Sequence, residues 1–189
     1  MMRVLLIACL LCIPASAQVR YEDIAKGPGE NWTTYAGSYQ GWRYSPLKQI
    51  TVENAKSLAP KWVYHVPDAR GLRSSPIVYK GVMYVTNSNS VYALDARSGR
   101  LVWQYLDTRA KGQGVNRGAA ILGDRIYFTT NDNYLTALDR QTGVVIFSRK
   151  FADENKGTTS TSAPLIVKDK VIVGSAGGDS GVRGFVAAL

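Results

Sequence analysis

The stretch Ala93-Leu94-Asp95-Ala96-Arg97-Ser98-Gly99-Arg100-Leu101-Val102-Trp103 returns 44 residues later as Ala137-Leu138-Asp139-Arg140-Gln141-Thr142-Gly143-Val144-Val145-Ile146-Phe147. The offset holds at each matched position: Ala93 to Ala137, Asp95 to Asp139, Gly99 to Gly143, Trp103 to Phe147. A fixed period in the forties with a strand-turn-strand pattern inside it marks a β-propeller blade. One blade cannot bury both of its faces. Blades therefore stack, and any site is assembled by several of them around a central axis.

Residues 82–85, 91–94, 126–128 and 135–138 carry the alternation expected of half-buried strands. Asp95 and Asp139 are placed to open tight turns by accepting from backbone amides ahead of them, and Gly99 and Gly143 to supply the positive φ that closes them. Small Ala93 and Ala137 leave room for an aromatic, so Trp103, or Phe147 in its place, is expected to wedge between adjacent sheets. A third unit follows. Ala163-Pro164-Leu165-Ile166-Val167 resembles Ser75-Pro76-Ile77-Val78-Tyr79, and Ala188-Leu189 resembles Ala137-Leu138. Here the offset is 51, with the extra residues in the Gly-rich segment 175–184. Upstream, Leu58-Ala59-Pro60-Lys61-Trp62-Val63-Tyr64 reads as the outer strand of a preceding blade. The expected fold is all-β: about three blades of a larger ring.

Composition narrows the function classes. With 46% hydrophobic and 20% charged residues the chain is globular. Arg3, an apolar run over residues 4–13 and Ala15-Ser16-Ala17 read as a cleavable export signal over residues 1–17, with the propeller domain over 18–189. Both cysteines, Cys9 and Cys12, fall in that leader. The exported part then has neither a disulfide framework nor thiolate metal sites. After residue 18 no stretch is long and apolar enough to span a membrane. The net charge is +9, but the basic residues are scattered and form no stripe with interleaved aromatics. That argues against nucleic-acid binding.

Few residues could do chemistry. His65 is the sole histidine, which leaves no support for a histidine metal cluster or a Ser-His-Asp triad. No phosphate-cradling loop is present. Two segments break the repeat: Gly114-Val115-Asn116-Arg117-Gly118, and residues 175–184 with Asp179. Arg117, at the start of a strand near the axis, suits bidentate capture of a carboxylate, or equally a pair with a neighbouring blade. Asp179, flanked by small residues, suits a hard cation or an ordinary turn.

Trp32-Thr33-Thr34-Tyr35-Ala36-Gly37, Arg43-Tyr44-Ser45-Pro46-Leu47, Val115-Asn116-Arg117-Gly118 and Gly181-Val182-Arg183-Gly184 stand in this order. Together they resemble the quinoprotein alcohol dehydrogenases of the methanol/ethanol type. The resemblance implies an eight-bladed propeller holding pyrroloquinoline quinone (PQQ) and Ca²⁺ or a lanthanide on its axis. It also implies periplasmic oxidation of an alcohol with electron transfer to a cytochrome c-type acceptor. The family's cofactor-binding positions fall on Arg117, Thr161, Ala176, Gly177 and Gly178, and a metal-binding carboxylate falls on Asp179. Three positions depart from the family. Its adjacent cysteine pair falls at Lys111-Gly112, a cofactor-bonding glutamate falls at Arg73, and a metal glutamate is shortened to Asp179. The family's catalytic aspartate falls beyond Leu189, so the resemblance implies no catalytic residue in this chain and no turnover by it alone. A second reading is a cofactor-free propeller acting as a binding or assembly scaffold, a role that Lys111-Gly112 and Arg73 would suit.

Overall fold

The computed structural model describes residues 18–67, 71–109, 114–153 and 157–189. The expected leader over residues 1–17 and the Lys111-Gly112 position lie outside them. The described residues form three antiparallel meanders. In the first sheet β1 (Ile77–Tyr79), β2 (Val82–Asn87), β3 (Ser90–Asp95) and β4 (Leu101–Leu106) lie side by side in chain order. The second repeats this with β5 (Ala120–Leu122), β6 (Arg125–Thr129), β7 (Tyr134–Asp139) and β8 (Val145–Lys150). The third holds β9 (Leu165–Val167), β10 (Lys170–Gly174) and β11 (Val186–Ala188). Among the described residues no helix is long and apolar enough to cross a membrane.

The repeat read from the sequence is a repeat of hydrogen bonds. Asp95 Oδ1 accepts from the Ser98 amide at 2.8 Å and the Arg97 amide at 3.1 Å. Asp139 Oδ1 accepts from the Thr142 amide at 2.8 Å and the Gln141 amide at 3.0 Å. Gly99 and Gly143 close these turns at φ 71° and 73°. The bonds leave a mark on acidity. Burial pushes the Asp139 carboxyl up, but the Thr142 hydroxyl and the turn amides more than offset it and hold the group below the usual carboxylate range. Both third strands carry an irregularity at the same place, between Ala93 and Leu94 and between Ala137 and Leu138. Across them Tyr84, Ala93 and Trp103 lie in register, as do Tyr127, Ala137 and Phe147. The small alanine lets the flanking rings approach, with centroids 5.9 Å apart in the first sheet and 6.4 Å in the second.

Neighbouring sheets are joined by tryptophan on glycine. Trp103 Nε1 donates to Arg140 O at 3.0 Å, and its ring covers Gly143 so closely that a Cβ there would lie 2.6 Å from Cε3. Trp62 does the same one sheet earlier, donating to Ala96 O at 3.1 Å and covering Gly99. Phe147 occupies the next equivalent place. It has no N–H to donate and is 37% exposed. The expected outer strand around Trp62 is not formed: residues 58–64 have no strand partner among the described residues, although Trp62 docks as an outer-strand residue should.

A continuous core runs through all three sheets, including Ile77, Tyr84, Val91, Ile121, Phe128, Leu138, Ile166 and Val173. Each such side chain contributes roughly 1.5–3 kcal/mol when fully buried. The half-buried alternation expected for residues 91–94 and 135–138 is not observed. All of these positions are buried, because both faces of each middle strand are covered: β7 lies in the sheet between the other two, and the face of β3 away from the second sheet is packed by Trp62, Tyr64 and Val66. Burial also pushes the Tyr84 phenol up to about 12.

The N-terminal segment ties the inner edges together. Trp32 pairs with Val78 on the free edge of β1, through bonds of 2.8 and 2.7 Å. Tyr35 lies beside Gly118 before β5, and Tyr39 Oη donates to Ile166 O on β9. Residues 32–39 thus touch the inner strand, or the residues leading into it, of each sheet.

Candidate cofactor site at the inner edges

Three lead-in segments converge where the inner strands begin: Ser74-Ser75 before β1, Asn116-Arg117-Gly118 before β5, and Thr161-Ser162 before β9. The Ser75 amide donates to Arg117 O at 2.9 Å. Arg117 Nη1 donates to Thr161 Oγ1 at 2.7 Å and to Thr161 O at 3.0 Å. The guanidinium is exposed and enters no ion pair among the described residues. Its partners are neutral oxygens, so its charge remains available to an anion. Gly118 must be glycine: at φ 145° it also approaches Ser75 O so closely that a Cβ would lie 3.0 Å away.

Behind this rim runs a buried polar chain that the sequence reading missed. Ser74 Oγ and Thr86 Oγ1 are 2.9 Å apart, and Thr86 Oγ1 donates to Asn116 Oδ1 at 2.6 Å. Asn116 Oδ1 also accepts from the Gly118 amide at 2.9 Å, while Asn116 Nδ2 donates to Thr129 O at 2.8 Å. Thr129 Oγ1 in turn donates to Ser162 O at 3.2 Å. Thr86 and Thr129 lie 43 residues apart near the ends of equivalent strands, and that spacing was the signal available in the sequence. Arg43 was also missed. It lies over the Tyr35 ring at 4.7 Å, with Nη1 3.5 Å from Ser75 Oγ, and holds φ at 52°.

Ala176 exchanges both backbone bonds with Thr159, two residues before Thr161, at 3.2 and 2.6 Å. Gly177 follows at φ 134°, where a Cβ would meet Gly157 O at 2.8 Å, so this backbone sits in space that only glycine fits. Gly178 and Asp179 then enter a single 3₁₀ turn, Gly178–Ser180. The structure therefore brings Arg117 and Thr161 into direct contact and sets Ala176 and Gly177 beside the segment leading to Thr161. It leaves Asp179 exposed on the turn beyond. Among the described residues no group of three or more His, Cys, Asp or Glu side chains could hold a metal ion, so Asp179 has no protein carboxylate cluster around it.

The PQQ family profile, described as the glucose/ethanol/alcohol dehydrogenase β-propeller domain, matches residues 32–186. The chain belongs to this family. Among relatives of this chain, the quinohemoprotein alcohol dehydrogenase ADH IIB of Pseudomonas putida is 39% identical over 97% of the chain and 28% of its own length. The quinoprotein alcohol dehydrogenase PedH of Pseudomonas putida is 40% identical over 96% and 32% respectively. The 1-butanol dehydrogenase (cytochrome c) of Thauera butanivorans is 41% identical over 85% and 24%. In three dimensions the chain superposes on ADH-IIG of Pseudomonas putida with a TM-score of 0.80 at 40% identity, covering 87% of this chain and 25% of that one. For a europium-containing methanol dehydrogenase the TM-score is 0.81 at 38% identity, covering 88% and 31%. The chain spans less than a third of the length of these relatives.

Proposed function

We propose that this chain supplies the arc of the ring that grips PQQ in a periplasmic alcohol dehydrogenase, exported by the leader over residues 1–17 and passing electrons to a cytochrome c-type acceptor. The observation that carries the reading is Arg117. Its guanidinium, without an acid partner among the described residues and held on Thr161 where two inner strands begin, suits a ligand bearing carboxylates. The residues present fit such a group. Arg117 would hold a carboxylate, Thr161 would offer a hydroxyl, and Ala176, Gly177 and Gly178 would let the ligand approach the backbone.

PQQ, when bound, supplies the two-electron acceptor for oxidation of an alcohol. The chain's own residues orient it and neutralise its negative charge. Asp179 would give one oxygen ligand to Ca²⁺ or a lanthanide, the remaining ligands coming from elsewhere in the protein and from the cofactor. No catalytic residue is assigned within residues 1–189. Three observations support the reading: the family, the relatives named for alcohol and for cytochrome c, and the europium-containing neighbour. The test is reconstitution of the full-length protein with PQQ and either Ca²⁺ or a lanthanide, followed by dye reduction with a primary alcohol. Retained quinone absorbance and alcohol-dependent turnover are expected. A protein that emerges from gel filtration without quinone overturns the proposal.

A further inference from the structure

We infer that Asn116 is a positioning residue that presets Arg117 for its ligand. The inference rests on the reading of Arg117 as a carboxylate clamp. An exposed arginine loses rotamer entropy on binding unless its side chain is held beforehand, and a set backbone decides where that side chain can be held. Arg117 stands between two residues of one turn, and Asn116 closes that turn: its Oδ1 accepts from the Gly118 amide at 2.9 Å. The carboxamide is itself immobile, being 3% exposed, and uses both ends. Thr86 Oγ1 donates to Oδ1 at 2.6 Å from the first sheet, and Nδ2 donates to Thr129 O at 2.8 Å in the second.

Rotation of this amide would break bonds in two sheets at once, so the turn has one orientation. The Ser75 amide, 2.9 Å from Arg117 O, pins the arginine's own backbone from the first sheet. With the peptide that follows it held at both its C=O and its N–H, the arginine's backbone is set and the guanidinium can settle on Thr161 of the third segment at 2.7 Å. Asn116 therefore acts through Arg117 without touching the ligand, as outer partners of metal ligands act through the group they hold.

The test separates positioning from mere stability by comparing Asn116→Ala with Asn116→Ser in the full-length protein. Serine restores a side-chain acceptor for the Gly118 amide but is too short to reach Thr86 and Thr129 together. PQQ affinity, followed by quinone absorbance, is expected to fall about tenfold or more in N116A. N116S is expected to recover most of it while melting as low as N116A. Ile121→Val, a core change in β5, lowers Tm and is expected to leave affinity unchanged. Affinity in N116A equal to the wild type, or affinity that follows Tm across all three variants, overturns the inference.

If the wild type takes up no PQQ, the functional proposal falls, and the Arg117 side-chain NMR signals then decide the inference alone. Separate Nη resonances in the wild type that merge in N116A support it, and unchanged resonances overturn it.

Discussion

Gly143→Ala probes the joint between the first two sheets. Two penalties are built into the site. Gly143 sits at φ 73°, where a Cβ costs about 1–2 kcal/mol. A methyl there would also lie 2.6 Å from Trp103 Cε3, about 1 Å inside ordinary contact, so the ring must shift. Forcing a packed aromatic aside costs about 1–3 kcal/mol more. Gly123→Ala supplies the reference in the same sheet: φ is 60°, and nothing lies within 4 Å of the added methyl. G123A should therefore cost only the backbone share. Calorimetry or urea unfolding should place G143A below G123A by about 1–3 kcal/mol, or roughly 2–12 °C in Tm for a chain of this size. In a Trp103→Ala background, where the ring is gone, G143A should cost no more than G123A. Equal losses for the two alanine variants, or a double-mutant coupling below about 0.5 kcal/mol, would refute the docking of Trp103 on Gly143.

Other expectations follow from the same geometry. Because Asp139 titrates below its ordinary value in the fold, its ionised form adds stability above the unfolded-state pKa, and this is lost as pH falls through the folded value. Asp139→Asn should therefore give a flatter stability profile below about pH 4, read by urea unfolding at several pH values. Tyr84, pushed up to about 12, should stabilise the fold fully below the ordinary tyrosine range near pH 10 and progressively less from there to about 12. Tyr84→Phe should reduce that alkaline slope, while tyrosinate absorbance at 295 nm loses part of its latest component, the rest coming from Tyr39, which burial also pushes up to about 12. Thr161→Val, which keeps shape but deletes the hydroxyl acceptor of Arg117 and leaves the carbonyl one, should weaken PQQ binding with little change in Tm, checked by titration and calorimetry together.

The parts of this molecule legible in the sequence are those governed by local chemistry. The Asp95 and Asp139 turns, the glycines that close them and the aromatic facing a small alanine all lie within eleven residues, so a 44-residue repeat exposes them. Burial on both faces of β3 and β7 was not legible. Alternation reports one covered face, whereas the second cover comes from a sheet encoded some forty residues away. The same holds for residues 32–39, whose contacts at Val78, Gly118 and Ile166 depend on how three sheets are stacked. At the candidate site Arg117 and Thr161 stood out beside the Gly-rich break and through family resemblance. Asn116 lies in the same segment and motif as Arg117, but nothing local marked its role, which comes from threonines in two different sheets.

The most direct measurement is an equilibrium titration of the full-length protein with PQQ, compared with Arg117→Ala. A hydrogen bond to a charged group contributes about 1.5–3 kcal/mol, so the variant should bind roughly ten to a hundred times more weakly. Equal affinity in the two proteins, or no uptake by the wild type, would contradict the assignment of the inner edges as a seat for an anionic cofactor.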